Sequence, residues 1–222
     1  MSVENAPVLP VLAEWSDDIG QLCEIGRYFH SRGWSLGTSS NYSVVIARDP
    51  LELIVTASGK DKGKLGIADF VRIGADGSPL YHGQPKSSAE TLLHVVAAAQ
   101  PGVGAVLHTH SVWGTLLSDW FHRQGQVEIS GFEMLKGLAG IDTHETTIRI
   151  PIFDNTQDIP VLAEQVAQRF NDADNPLNHA YLIHKHGTYT WGQDLAEAVR
   201  HVEILEFLFE CVGRQVMMTR DT

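Results

Sequence analysis

The chain has 222 residues, 43% of them apolar, and a formal net charge of −11. That length and composition suit one well-filled domain over residues 1–222, and the charge argues against nucleic acid as a partner, which needs a basic footprint. A phosphorylated small molecule stays open, because a local nest of backbone N–H groups binds phosphate even on an acidic protein.

Met1 to Pro10 lacks a basic segment followed by a long apolar stretch, so no secretory signal and no membrane association are expected. Ser16 is a candidate cap for a first helix running to Arg32, with Gly33 as its stop and Ile19, Leu22, Gly26 and Phe29 on its apolar face. Tyr42–Ala47 and Leu51–Thr56 read as strands around Arg48-Asp49-Pro50. Phe70–Ile73 and Leu80–Tyr81 suggest a hairpin around Ala75-Asp76-Gly77. Ser87-Ser88-Ala89-Glu90 fits a capping box opening a helix from Ser87 to Gln100. Ala105-Val106-Leu107 begins a buried strand after Pro101-Gly102. Ser111–Trp120 is predicted as a helix, Phe132–Leu138 as a short helical or turn segment, and Thr146–Ile152 as a strand. Asp158 caps a helix to Phe170, with Pro160 tolerated in its first turn. Tyr181–His184 and Thr188–Trp191 are strands around a His-Gly corner. Asp194–Met218 is a long helix with one stripe through Leu195, Val199, Val202, Leu205, Leu208 and Val212. A second stripe, Ile204, Phe207 and Cys211, predicts burial against another subunit. Cys23 and Cys211 both lie in predicted helices and are expected to be reduced thiols of a cytoplasmic protein. Helices and mostly antiparallel strands without a βαβ rhythm predict an α/β fold with a central sheet and helices on both faces.

The chemistry concentrates in His108-Thr109-His110. Residues two apart on a strand share a face, so both imidazoles leave the strand end together. His186 is a third candidate, and three imidazoles with an open position describe a catalytic zinc site. One H-x-H pair among eleven histidines is weak alone. His94 reads as a core histidine or one supporting a ligand, and His184 as a packed strand residue. Gly37-Thr38-Ser39-Ser40-Asn41 and Thr56-Ala57-Ser58-Gly59-Lys60 are either simple turns or anion-binding loops, with Lys60 able to add charge. Ser87 and Ser88 form a third anion-friendly spot that capping alone would also explain. Glu90 and Glu133 compete for acid–base work; Glu133 lies in the apolar, glycine-bounded Gly131–Gly137, where a carboxylate beside apolar groups has a raised pKa.

Taken in order, the Gly37–Asn41 loop, Thr56-Ala57-Ser58-Gly59, Ser87-Ser88 followed by Glu90, His108-Thr109-His110 and His186-Gly187 resemble the class II aldolase/epimerase/adducin-head family from about Glu14 to Val216. Gly131–Leu138, Ile150–Asp154 and Tyr189–Gly192 are most similar to its methylthioribulose-1-phosphate dehydratase branch, which belongs to methionine salvage. The resemblance implies a three-layer α/β/α sandwich with a mostly antiparallel central sheet. It also implies a C4-type homotetramer with sites near subunit interfaces. One zinc ion per subunit is implied on His108, His110 and His186. Glu133 matches the dehydratase acid–base residue, and Glu90 the aldolases' catalytic glutamate. Asn41, Ser58, Gly59, Ser87 and Ser88 match phosphate-loop positions, although Ser-Ser-Ala-Glu stands here where the aldolases have Ser-Ser-Glu. The implied reaction removes water from 5-methylthioribulose 1-phosphate, with Glu133 protonating the departing C4 hydroxyl. The alternatives are a fuculose- or ribulose-phosphate aldolase or epimerase and a non-catalytic adducin-like interaction module.

Overall fold

The computed structural model describes residues 12–219; the expectation drawn from Met1–Pro10 lies outside them. Among the described residues the strands are β1 Asn41–Arg48, β2 Leu51–Thr56, β3 Phe70–Gly74, β4 Ala105–Thr109, β5 Gln126–Ser130, β6 Thr147–Phe153, β7 Ala180–Ile183 and β8 Gly187–Gly192. They form one sheet in the order β3-β2-β1-β4-β8-β7-β6-β5. Only β6 and β7 pair in parallel; the other neighbours are antiparallel. The helices are α1 Ser16–Ser31, α2 Thr91–Ala98, α3 Val112–Trp120, α4 Ile159–Phe170 and α5 Leu195–Met218. None of them is long and apolar enough to cross a membrane.

Alternation along the strands decides which helix meets which face. Val106, Tyr181 and Ile183 point to one side, where Leu93 and Ala97 of α2 and Leu162 and Val166 of α4 cover them. Ala105 and Leu107 point to the other, against Leu22 and Phe29 of α1 and Val202 of α5. Ala180 and Leu182 share that second side with Leu117 of α3 and Leu205 and Leu208 of α5. Burying a leucine or phenylalanine stabilises by about 1.5–3 kcal/mol, so a sheet covered on both faces is the favourable use of these runs. The expected three-layer arrangement with a mostly antiparallel sheet is the one the chain adopts.

Several boundaries differ from expectation for local reasons. Ser16 does not cap α1: a 3-10 turn, Ala13–Trp15, precedes it, and the Ser16 N–H already donates to Ala13 O. Gly33 does end α1, at a left-handed φ of 77° that a Cβ would disfavour. The helix expected from Ser87 begins at Thr91, because Ala57 and Ser87 form an antiparallel bridge and the Ser58 N–H donates to Lys86 O at 2.9 Å. Ser87 is thereby held extended, and Glu90 closes no capping box. Strand β5 escaped the sequence reading; its Val127 and Ile129 are buried and its Glu128 exposed, an alternation too short to separate from a loop. Ser111, Asp158 and Asp194 cap α3, α4 and α5, accepting from the N–H groups of Gly114, Val161 and Glu197. On α5, Ile204 is buried, while Phe207 is exposed and Cys211 half-buried.

Helix α5 also carries a buried carboxylate. Burial pushes the Glu206 pKa up to about 8, against the pull of the Ser111 hydroxyl and the Arg32 charge. A carboxyl whose folded pKa is raised gives stability that is complete below its unfolded pKa and is lost as pH rises toward the folded one. Histidines with lowered pKa values, such as His94 and His110, act in the opposite sense and are common to both proteins, so the urea midpoint of the wild type relative to Glu206→Gln should fall between pH 5 and pH 8. A difference between the two proteins that does not change with pH would contradict the assignment.

Candidate active site

The sheet register builds the site. Asn41 of β1, His108 of β4 and Tyr189 of β8 stand opposite one another in a single row. Tyr189 stacks on the His108 ring at 4.1 Å between centroids. His108 is fully buried, and its Nδ1–H donates to Thr188 O at 3.0 Å, which leaves the Nε2 lone pair aimed away from the strand. His110 follows the strand end, anchored by its N–H on Trp34 O at 2.8 Å. Its Nε2 reaches to 2.8 Å from His108 Nε2. His186 comes from the turn between β7 and β8, where Lys185 takes a left-handed φ of 53°. That turn is fixed by Lys185 N–H on Ser118 Oγ at 2.8 Å and His184 Nε2 on Asp119 Oδ1 at 2.9 Å. His184 thus lies in the turn rather than packed within a strand.

The three imidazoles present nitrogen atoms that all lie within 4.8 Å of one another. Burial, then the neighbouring imidazoles, hold the pKa of His108 far below its usual value; burial, then His186 and Lys62, bring His110 to about 4. Both rings are neutral at physiological pH, the form that ligates metal. Neutral lone pairs facing each other repel unless a cation or proton lies between them, so the donor set fits a divalent metal ion that accepts imidazole nitrogen.

Glu90 closes one side of the cluster. Its carboxylate oxygens lie 3.3 Å from His186 Nε2 and 3.6 Å from His108 Nε2. Asn41 Nδ2 donates to Glu90 Oε2 at 3.0 Å and to Ser88 Oγ at 3.2 Å. The fully buried His94, one turn after Glu90, holds the other end of that amide: its Nε2–H donates to Asn41 Oδ1, and its Nδ1 accepts from Ser43 Oγ at 2.8 Å. Burial pushes the His94 pKa down to about 3, so the ring stays neutral and keeps this direction of donation. His94 is the buried supporting residue that the sequence suggested; Ser43 was not singled out, and nothing in its strand pattern marks it.

The remaining candidates divide. Ser58 and Gly59 are exposed, and the Ala57–Ser87 bridge brings their loop beside Ser87 and Ser88. Ser88 Oγ accepts from both Asn41 Nδ2 and the Glu90 N–H, so its own hydroxyl hydrogen is left to donate elsewhere. Lys60 pairs with Asp69 at 2.8 Å. Glu133 is not brought to the cluster. Strand β5 runs opposite to β4, so Ser130 and the turn Glu133–Gly137 leave the sheet at the end away from His108. Nor is Glu133 in apolar surroundings: its side chain is exposed, and Lys136 first, then His144, hold its pKa below the usual carboxylate value.

Residues 20–212 match the family described as Class II Aldolase and Adducin N-terminal domain. The chain belongs to this family. It is 47% identical over 86% of its length to a methylthioribulose-1-phosphate dehydratase of Marinobacter nauticus, covering 89% of that protein. It is 46% identical, with the same coverage of both chains, to one of Pseudomonas fluorescens. An L-fuculose-1-phosphate aldolase structure from Thermus thermophilus shares the fold, with a TM-score of 0.68 at 19% identity over 90% of this chain and 95% of that one.

In this class II aldolase fold the close approach of β8 to β4 needs a residue without a side chain. A Cβ on Gly187 would sit 3.0 Å from His108 Cε1 and would overlap Thr109 O. Gly187→Ala should therefore push the His186 turn outward. Metal affinity should fall about 10–100-fold, as for lost ligand-orienting contacts, with the fold intact by circular dichroism. Unchanged metal per chain after dialysis, read by elemental analysis, would show that the approach is not needed.

Proposed function

We propose that the chain is a cytoplasmic, zinc-dependent dehydratase of methionine salvage, converting 5-methylthioribulose 1-phosphate to 5-methylthio-2,3-dioxopentyl phosphate and water as a homotetramer. The observation that carries this reading is the match, over 86% of the chain, to relatives bearing the dehydratase name. The convergence of His108, His110, His186 and Glu90 supports it.

A divalent ion on the three imidazoles supplies Lewis acidity toward the substrate's C2 carbonyl when bound. The C3–H bond beside that carbonyl is acidic, and Glu90, aimed by Asn41, is the base we assign to its proton. The freed electron pair forms the C3–C4 double bond while the C4–O bond breaks, and the leaving hydroxide takes a proton to become water. The resulting enol loses its C3 hydroxyl proton and gains one at C4 to give the dione. We assign the proton for the leaving hydroxide to Glu133. Its position at the far end of its own sheet means that it would serve a neighbouring copy. As an acid it must exchange Lys136 for the drier surroundings of a subunit contact, where burial raises a carboxyl pKa. Exposed apolar Leu36, Val112 and Leu116, on segments flanking His110 and Asn41, are consistent with such a contact.

Mass spectrometry of products should show loss of one water from 5-methylthioribulose 1-phosphate. Carbon–carbon cleavage or epimerisation of fuculose or ribulose phosphates instead would move the chain to the aldolase or epimerase reading. Glu90→Gln and Glu133→Gln should each lower turnover at least about 100-fold. Co-assembled Glu133→Gln and His186→Ala subunits should regain turnover well above either parent. Failure to regain any would end the role of Glu133 in a neighbouring copy.

A further inference from the structure

Among the described residues Lys62 is the one lysine that is fully buried, at 1% exposure. It lies in the 3-10 turn Lys62–Lys64, which packs so closely on α1 that a Cβ at Gly26 would overlap Lys62 O. The ammonium donates to Lys60 O at 2.7 Å and to Thr38 O at 3.5 Å. Those carbonyls belong to the two loops that enter β1 and leave β2, the loops whose small polar residues suggested anion binding.

The carboxylates that influence Lys62 are both engaged elsewhere. Asp69 takes Lys60 Nζ at 2.8 Å and the Gly66 N–H at 3.1 Å. Asp61 takes the Gly63 N–H at 2.9 Å and Lys64 Nζ at 3.4 Å. Lys62 therefore carries charge into the interior with only carbonyl oxygens as hydrogen-bond partners among the described residues. A buried charge without a counter-charge is costly, and burial pulls its pKa down to about 8. An anion held just beyond the two loops would offset that cost. The loops have turns suited to one: Gly37, Ser40 and Gly59 take left-handed φ values of 65°, 71° and 70°, the backbone conformation found where N–H groups turn toward an anion.

We propose that Lys62 is the positioning residue of the phosphate subsite: its buried ammonium draws the carbonyls of Thr38 and Lys60 inward, fixes the two loops relative to each other, and leaves their donors, with Ser58 and Ser88, facing a phosphate monoester. This rests on the phosphorylated substrate proposed above. Lys60, the lysine that the sequence favoured, is paired with Asp69 on the surface; Lys62 supplies the charge from beneath.

The test compares wild type with Lys62→Met, both zinc-loaded, by calorimetric titration with inorganic phosphate and by steady-state kinetics with 5-methylthioribulose 1-phosphate. Phosphate affinity should fall at least about tenfold, the size of a lost charge-assisted contact, and KM should rise by a similar factor. Bound zinc should be unchanged and kcat much less affected, a split that general structural damage would not produce. If Lys62→Met does not fold, Lys62→Gln, which keeps an amide donor and drops the charge, takes its place with the same expectation. Unchanged phosphate affinity and KM, or zinc and kcat lost together with them, would overturn the proposal. Phosphate binding that depends on Lys62 in an enzyme inactive toward the methylthio substrate would instead leave this proposal standing and remove the proposed substrate.

Discussion

Three imidazoles whose nitrogen atoms converge within 4.8 Å of one another, two of them held neutral by burial, are the constraint around which this structure is arranged. His108 is fully buried, and its Nδ1 proton is committed to Thr188 O. Its other nitrogen has the nitrogens of His110 and His186 as near neighbours. Holding that geometry without a cation is unfavourable, so the surrounding fold must impose it. The β4–β8 pairing, the bare Gly187 and the anchored His184–His186 turn do so by bringing the end of one strand and the start of another into direct contact.

A second layer aims the Glu90 carboxylate. Ser43 donates to His94, His94 to Asn41, and Asn41 to Glu90. With His94 neutral, each member has one role, and the Asn41 amide has one orientation. The carboxylate is thereby directed at His108 and His186 rather than at solvent. Its freedom to point there comes from the late start of α2, because the Ala57–Ser87 bridge holds Ser87 away from the helix. Glu133 has no such link to the imidazoles; its carboxylate pairs instead with Lys136 and His144.

The parts legible in the sequence were those set by periodicity. Alternation placed His108 and His110 at one strand end, and helical spacing picked out Ile19, Leu22, Gly26 and Phe29, all buried in α1. The Asp158 cap was readable because capping is local, depending on residues three apart. What escaped depends on contacts between distant segments. Ser87-Ser88-Ala89-Glu90 has the spacing of a capping box, but a bridge to Ala57 overrides it. Gly131–Gly137 reads as an apolar pocket for Glu133, yet Leu135 turns into the core, Met134 is exposed, and the carboxylate is left with Lys136. Asp61-Lys62-Gly63-Lys64 looks like a solvated charged turn, and no local pattern tells that one lysine folds inward beneath two loops.

Cobalt(II) titration of zinc-free protein tests most directly whether the three imidazoles form a metal centre. Visible d–d absorption should grow and saturate at one cobalt per chain, and His108→Ala, which removes the buried nitrogen at the centre of the cluster, should abolish it. Absence of a saturable band in the wild type, or an undiminished band in His108→Ala, would contradict the assignment of the metal to these residues.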